Sequence, residues 1–186
     1  MDNFTQFFSN RALSKSCDDV DHLFAGALVI FHSRMTHVLN GHPRLNAIMR
    51  RAGYGNDTFT EILAMDAFGG LYVFIGTDNT DAAAVKIVPE TAEVTRRFTS
   101  KRECAEFIES NARIETGWAL WLEWINLYGV TEWPIRLAPV TPFVLGGAFD
   151  VENMKAVTWE KAFELYDAIS TKLHGLPDGD KVSIDG

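Results

Sequence analysis

The sequence predicts an α+β fold in which a meander of antiparallel strands forms a sheet flanked by helices. Between residues 58 and 98, short segments of alternating polar and apolar residues are separated by polar turns, as in a strand meander. On both sides of this region, apolar residues recur at the three- and four-residue spacing of helices. With 186 residues, of which 47% are hydrophobic, the chain has the size and composition of one globular domain. We therefore expect a single α+β domain over residues 1–186.

The segments before the meander combine predicted helices with one strand. Aromatic residues at helical spacing predict a helix over residues 4–13, while the small and β-branched residues of 25–31 favour a strand. A clearer helix begins at Pro43, because proline is favoured at the first helical position. Leu45 and Ile48 lie on its apolar side, which we expect to face the core.

The meander itself consists of four predicted strands. They cover residues 58–63, 68–75, 84–88 and 93–98, and polar turns are predicted at residues 76–81 and 89–92. Antiparallel sheets of this kind commonly pack one face on the core and leave the other in water. We therefore expect the sheet to have one polar face.

Two pairs of adjacent glycines, Gly69-Gly70 and Gly146-Gly147, each join an apolar run to another segment. Glycine permits positive φ and close approach of the backbone to other groups. We therefore expect bends or bulges that curve the sheet at these pairs. The alternative is that they shape a shallow concave surface for a partner.

Helices are predicted again after the meander. Ser100 is a suitable N-cap, and Glu103 completes the spacing of a capping box. The last helix covers residues 158–173. Between them, residues 118–128 form the most aromatic element, whose buried stripe is predicted to consist of Trp118, Trp121, Leu122 and Ile125. Trp124 lies off this stripe, and we expect Trp124 or Trp133 to be partly exposed.

The chain is acidic, with 17 Lys and Arg residues against 25 Asp and Glu residues and a formal net charge of −8. An acidic surface repels phosphate backbones, so we expect no direct nucleic-acid binding and favour a basic protein partner. Two cysteines, Cys17 and Cys104, are too few for a disulfide-stapled secreted domain. Since the sequence shows neither a signal-peptide pattern nor a membrane-spanning apolar run, we expect a cytoplasmic protein that is not bound to membranes.

The residues that could carry chemistry form no recognisable catalytic or metal-binding motif. His32, His37 and His42 recur every five residues, a spacing that places neighbouring imidazoles on different faces of a helix or strand. The sequence contains no nucleophile elbow, P-loop or dinucleotide-binding glycine motif. We therefore expect no catalytic residue, no metal and no cofactor. The enzymatic alternative is a hydrolase that uses His32 or His37 with Asp66.

Three segments resemble a known family. They are DAFGGLYVFIGTD at residues 66–78, PETAEVTRRF at 89–98 and CAEFIESN at 104–111. Their order, over roughly residues 40–130, is similar to that of the SMI1/KNR4 (SUKH) superfamily and of the related Tdi1-type bacterial immunity proteins. The remaining residues, 131–186, resemble a C-terminal extension with an amphipathic helix. This resemblance implies an SMI1/KNR4-like fold without catalytic residues.

The resemblance also implies a function, namely that of an immunity protein that binds a cognate bacterial toxin and neutralises it. The toxins in that class are often nucleases or other enzymes delivered between bacteria, and we expect occlusion of the toxin's active site. The alternative is a non-catalytic scaffold or regulatory interaction protein. On charge and expected exposure, the candidate partner-binding residues are Asp66, Asp78, Asp81, Glu90, Glu93 and Trp133.

Overall fold

The computed structural model describes Phe8 and residues 16–17, 20–54, 60–76, 83–129 and 132–176. Within these ranges, seven strands form one antiparallel sheet, in which each strand pairs with the next along the chain. The strands are β1 (Ser16–Cys17), β2 (Val20–Leu23), β3 (Leu28–Phe31), β4 (Thr60–Met65), β5 (Leu71–Ile75), β6 (Ala83–Val88) and β7 (Glu93–Phe98). The predicted α+β class with an antiparallel meander is confirmed.

Helices and a second, two-stranded sheet complete the described part of the chain. The helices are α1 (Ser33–Asn40), α2 (Pro43–Arg51), α3 (Lys101–Glu115), α4 (Trp118–Tyr128) and α5 (Trp159–His174), and β8 (Ile135–Pro139) pairs with β9 (Met154–Thr158). None of these helices is long and apolar enough to cross a membrane. The helix predicted over residues 4–13 lies outside the described residues except for Phe8, as does the turn 76–81 except for residue 76.

Local sequence signals correctly predict where α2 and α3 begin. Pro43 occupies the first turn of α2, as predicted, and Leu45 and Ile48 are buried on its inner side. Ser100 caps α3, because its Oγ accepts a hydrogen bond from the backbone N–H of Glu103 at 3.1 Å. The Glu103 carboxylate reaches back to the backbone N–H of Thr99 at 2.6 Å, one residue earlier than a standard capping box.

The sheet is covered by helices on both faces. Neighbouring residues of a strand point to opposite faces, so Tyr72 packs with α3 and α4 around Trp121, while Leu71 packs with α2 and α5 around Phe163. The expectation of one polar face is therefore wrong. Both faces are buried because β5 starts with three consecutive buried residues, an apolar run that fits a strand between two helical layers.

Helix α4 buries a different stripe from the predicted one. Leu120, Trp121 and Trp124 are buried, whereas Leu122 is 36% exposed. Trp133 is half-buried, so the expectation that Trp124 or Trp133 is partly exposed is confirmed for Trp133 and not for Trp124. Since this helix is apolar on nearly all sides, its periodicity does not select a face, and tertiary contacts decide. One such contact is the hydrogen bond from Trp121 Nε1 to the carbonyl oxygen of Ala25, at 2.9 Å.

In each glycine pair, one residue has a positive φ and the other lies close to atoms of another residue, as predicted. Gly69 and Gly146 have φ values of +82° and +86°. Beside them, a Cβ on Gly70 would lie 2.2 Å from Asp66 Oδ2, and one on Gly147 would lie 1.9 Å from the carbonyl oxygen of Thr141. Only glycine fits such contacts without a shift of the neighbouring atoms.

Candidate functional site

A pocket of about 200 Å³ opens at the end of the sheet where β5 begins and β6 ends. Its charged lining residues are Asp66, Lys86, Glu90 and Glu115, and its aromatic ones include Phe68, Phe143 and Phe149. We call it the acidic pocket and define it by these seven residues. It joins four separate parts of the chain: the turn before β5, the end of β6 with its following turn, the end of α3, and the loop between β8 and β9.

Asp66 is held rigidly by its own turn. Its Oδ1 accepts hydrogen bonds from the backbone N–H groups of Phe68 (2.9 Å) and Gly70 (2.7 Å), as an aspartate does in an Asx-type turn. The side chain is buried, with the residue 5% exposed. The expected exposure of Asp66 is therefore wrong, because the side chain turns inward to bind these amides.

Lys86 links two carboxylates of the pocket. Its Nζ donates to Glu115 twice, to the backbone oxygen at 2.6 Å and to Oε2 at 3.1 Å, and lies 3.5 Å from Asp66 Oδ2. All three side chains are nearly buried, where ion pairs are screened little by solvent. Arg96 adds a longer contact of 3.5 Å to Glu115 Oε1. Asp66 and Glu115 therefore already have cationic partners within the protein.

Glu90 is buried, and no described residue places a cation beside it. The residue is 4% exposed, and its Oε1 accepts a hydrogen bond from the backbone N–H of Val144 at 3.3 Å. Burial raises the pKa of its carboxyl, which hydrogen bonds from the backbone N–H groups of Val144 and Phe143 partly offset. Within the described ranges, no Lys, Arg or His side chain lies within 4.0 Å of this carboxylate. The expected exposure of Glu90 is wrong, because the loop after β8 covers it.

Aromatic and aliphatic side chains line the mouth of the acidic pocket. The rings of Phe68, Phe143 and Phe149 contact one another, with centroid distances of 5.2–6.2 Å. Phe149 is 63% exposed, and Ile114, which also lines the pocket, is 81% exposed. Beneath them, the hydroxyl of Tyr166 donates to the carbonyl oxygen of Phe68 at 2.8 Å and ties α5 to the turn. The pocket therefore combines an acidic floor with an apolar mouth.

The other candidate partner-binding residues lie elsewhere or outside the described part of the chain. Glu93 is exposed at the start of β7, and Trp133 is half-buried, stacked on Trp159 with ring centroids 6.1 Å apart. Neither lines the acidic pocket. Asp78 and Asp81 lie outside the described residues. Of the six candidates, the structure thus brings together Asp66 and Glu90.

Sequence reasoning missed Lys86, Glu115 and Phe149. A signal for Lys86 was present, because it is the one charged residue in the apolar strand β6 and therefore needed a buried partner. Glu115 and Phe149 carry no such signal. Their positions depend on how the end of α3 and the loop between β8 and β9 pack together.

The histidines do not form the dyad of the enzymatic alternative. His32 Nε2 lies 3.0 Å from Asp21 Oδ2, so its carboxylate neighbour is Asp21 and not Asp66. The other candidate, His37, is exposed on α1. Among the described residues, no group of three or more His, Cys, Asp or Glu side chains could hold a metal ion.

Cys104 is expected to be unreactive toward thiol reagents in the folded protein. It is fully buried, and this burial raises the pKa of its thiol to about 12. At about pH 8 the thiolate, which is the reactive form, is therefore scarce. A Cys17→Ser variant isolates Cys104: we expect no labelling by DTNB in native buffer and full labelling in urea. Rapid labelling of the native variant would contradict this prediction.

Comparison with known proteins gives a similarity in fold alone. The structure of this chain is similar to the crystal structure of Atu4351 from Agrobacterium tumefaciens, with a TM-score of 0.50 and 12% sequence identity. The similarity covers 80% of this chain and 69% of that one. No protein-family model and no curated protein sequence matches the chain. The α+β fold is therefore one that a known protein shares.

Proposed function

We propose that this chain is a cytoplasmic immunity protein that binds a cognate bacterial toxin and neutralises it by occluding the toxin's active site. The observation that carries the proposal is the acidic pocket, in which carboxylates lie beneath the exposed side chains of Phe149 and Ile114. The resemblance of residues 66–78, 89–98 and 104–111 to SMI1/KNR4-like immunity proteins supports the same function.

The charge of the protein fits such a partner. Enzymes that cleave nucleic acids bind phosphates through basic surfaces. A protein with a net charge of −8 attracts such a surface, and charge complementarity raises the association rate and selects the partner. Neutralisation by occlusion requires only a stable complementary surface, so it needs no catalytic group. Ion pairs such as Lys86–Glu115 hold carboxylates of the acidic pocket in place before binding, which lowers the entropy cost of association.

A growth assay tests the proposal directly. The open reading frame adjacent to this gene is expressed in a bacterial host, alone and together with this chain. We expect the neighbour to arrest growth alone, and co-expression to restore growth. The two proteins should co-purify, and their association rate should fall about tenfold or more between roughly 50 and 500 mM salt, because salt screens the steering charges.

Two results would reject the immunity function. The first is a neighbour that is harmless when expressed alone. The second is a neighbour that arrests growth equally in the presence of this chain. Either would favour the scaffold or regulatory role, which requires the same kind of binding surface but no toxin.

A further inference from the structure

We propose that the acidic pocket receives an arginine side chain of the partner protein, with the carboxylate of Glu90 as its acceptor. The inference rests on the proposed function only in assuming that a protein partner binds here. It adds the chemistry of the contact: one arginine anchor, paired with one carboxylate and packed against phenylalanine rings.

The charges of the acidic pocket are unbalanced at one position among the described residues. Lys86 serves both Asp66 and Glu115, and Asp66 also accepts two backbone hydrogen bonds. Among the described residues, Glu90 has only backbone amides as partners, although it is as deeply buried as Asp66. A buried carboxylate without a counter-ion is costly unless something pairs with it. A cation that enters the pocket would remove this cost at Glu90.

The volume of the acidic pocket limits the size of the entering group. The cavity of about 200 Å³ is smaller than the roughly 300–1,000 Å³ typical of pockets for drug-sized ligands. It therefore fits one side chain better than a whole cofactor or substrate. A guanidinium suits the lining, because it is planar, binds a carboxylate through two donors and stacks on aromatic rings such as Phe143 and Phe149.

The apolar mouth of the acidic pocket favours a protein over a free small molecule as the source of that cation. Phe149 and Ile114 expose large apolar surfaces at the mouth of the pocket. A free guanidinium compound would leave these surfaces in water, whereas a protein surface around the inserted arginine would cover them. Arginine anchors surrounded by apolar contacts are typical of the energetically dominant centre of protein interfaces.

A titration with N-acetyl-arginine amide, followed by two-dimensional amide NMR, tests the pocket itself. We expect saturable shifts at the amides of Val144 and Phe143, with a Kd of about 1 mM, since a single anchor without its protein gains little affinity. The uncharged isostere N-acetyl-citrulline amide should cause no such shifts. Absence of saturation, or equal shifts with both probes, would overturn the proposal. A Kd near 1 μM would overturn the choice of a protein as the source.

Three variants test whether Glu90 is the carboxylate that binds the arginine probe. Glu90→Gln keeps the shape and the oxygen that accepts from Val144, so it should fold normally and bind the arginine probe at least tenfold more weakly. Phe149→Ala removes an exposed ring and should weaken binding severalfold. The matched control is Glu123→Gln, which neutralises an exposed acid on α4 away from the acidic pocket and should bind as wild type does. Unchanged binding by Glu90→Gln would overturn the proposal.

The growth assay separates this inference from the immunity function. If the wild-type chain protects the host but a chain with Glu90→Gln and Phe149→Ala fails to protect, both proposals are supported. If that double variant protects and binds the toxin as tightly as the wild type, the arginine anchor is wrong and the immunity function stands. If the wild-type chain gives no protection while the arginine probe binds through Glu90, the immunity function fails and the cation pocket stands.

Discussion

Replacing Arg136 with alanine is expected to lower the free energy of unfolding by about 3–5 kcal/mol. Arg136 lies on β8 and is fully buried. Its Nη1 donates to the carbonyl oxygen of Gly26 at 2.9 Å, and its guanidinium lies 5.3 Å from the ring of Trp121 and 5.5 Å from that of Trp133. Alanine would leave a cavity between these rings and an unpaired buried carbonyl oxygen.

The charge of Arg136 contributes less than its volume. Burial lowers the pKa of the guanidinium, the negative charge of Asp66 opposes this shift, and Nε and Nη2 have no hydrogen-bond partner among the described residues. The protein therefore holds this cation at a cost. Arg136→Met keeps most of the volume without the charge but also leaves the Gly26 carbonyl oxygen unpaired, so it should lose about 1–2 kcal/mol.

Urea unfolding of the two variants checks this prediction. The expected order of stability is wild type, then Arg136→Met, then Arg136→Ala, with a gap of about 2 kcal/mol or more between the two variants. Tryptophan fluorescence and near-ultraviolet circular dichroism report whether the native packing survives. Equal losses in the two variants would show that the guanidinium with its hydrogen bond to Gly26, and not the volume, holds β8 to the rest of the fold.

Local patterns in the sequence predicted those features that local chemistry determines. Helix α2 begins at Pro43 as expected, because proline at the first helical position and the apolar spacing agree. Strand β7 has the predicted bounds, because the turn at residues 89–92, directly before the strand, carries strong turn signals. In such elements the interactions that decide the structure lie within a few residues of one another.

The acidic pocket could not be predicted in this way. Asp66 and Glu90 occupy polar turns, which normally lie in water, so the sequence favoured exposure. Glu90 is instead covered by Val144, which lies 54 residues further along the chain. Asp66 faces Lys86, which lies on β6, the second strand after it. Burial at such sites depends on the packing of distant segments, which no local periodicity reports.

Substituting Gly70 with alanine is expected to destabilise the protein by about 2–4 kcal/mol, because the new Cβ would lie 2.2 Å from Asp66 Oδ2. The carboxylate has little freedom to move, since Oδ1 binds two backbone amides and Oδ2 lies 3.5 Å from Lys86. The matched control is Gly53→Ala. Gly53 has a φ of +90° but open space around its Cβ position, so backbone strain alone should cost about 1 kcal/mol there.

A double-mutant cycle separates this clash from a general effect on the turn. Asp66→Ala removes the obstructing oxygen, together with the two hydrogen bonds to the turn. In the double variant, alanine at position 70 therefore meets no carboxylate, and its cost should fall to about 1 kcal/mol. Losses that add to within about 0.5 kcal/mol would contradict the steric argument. Strong coupling would indicate that the glycine pair exists to let Asp66 fold back onto its own backbone, which positions that carboxylate beside Lys86 on the floor of the acidic pocket.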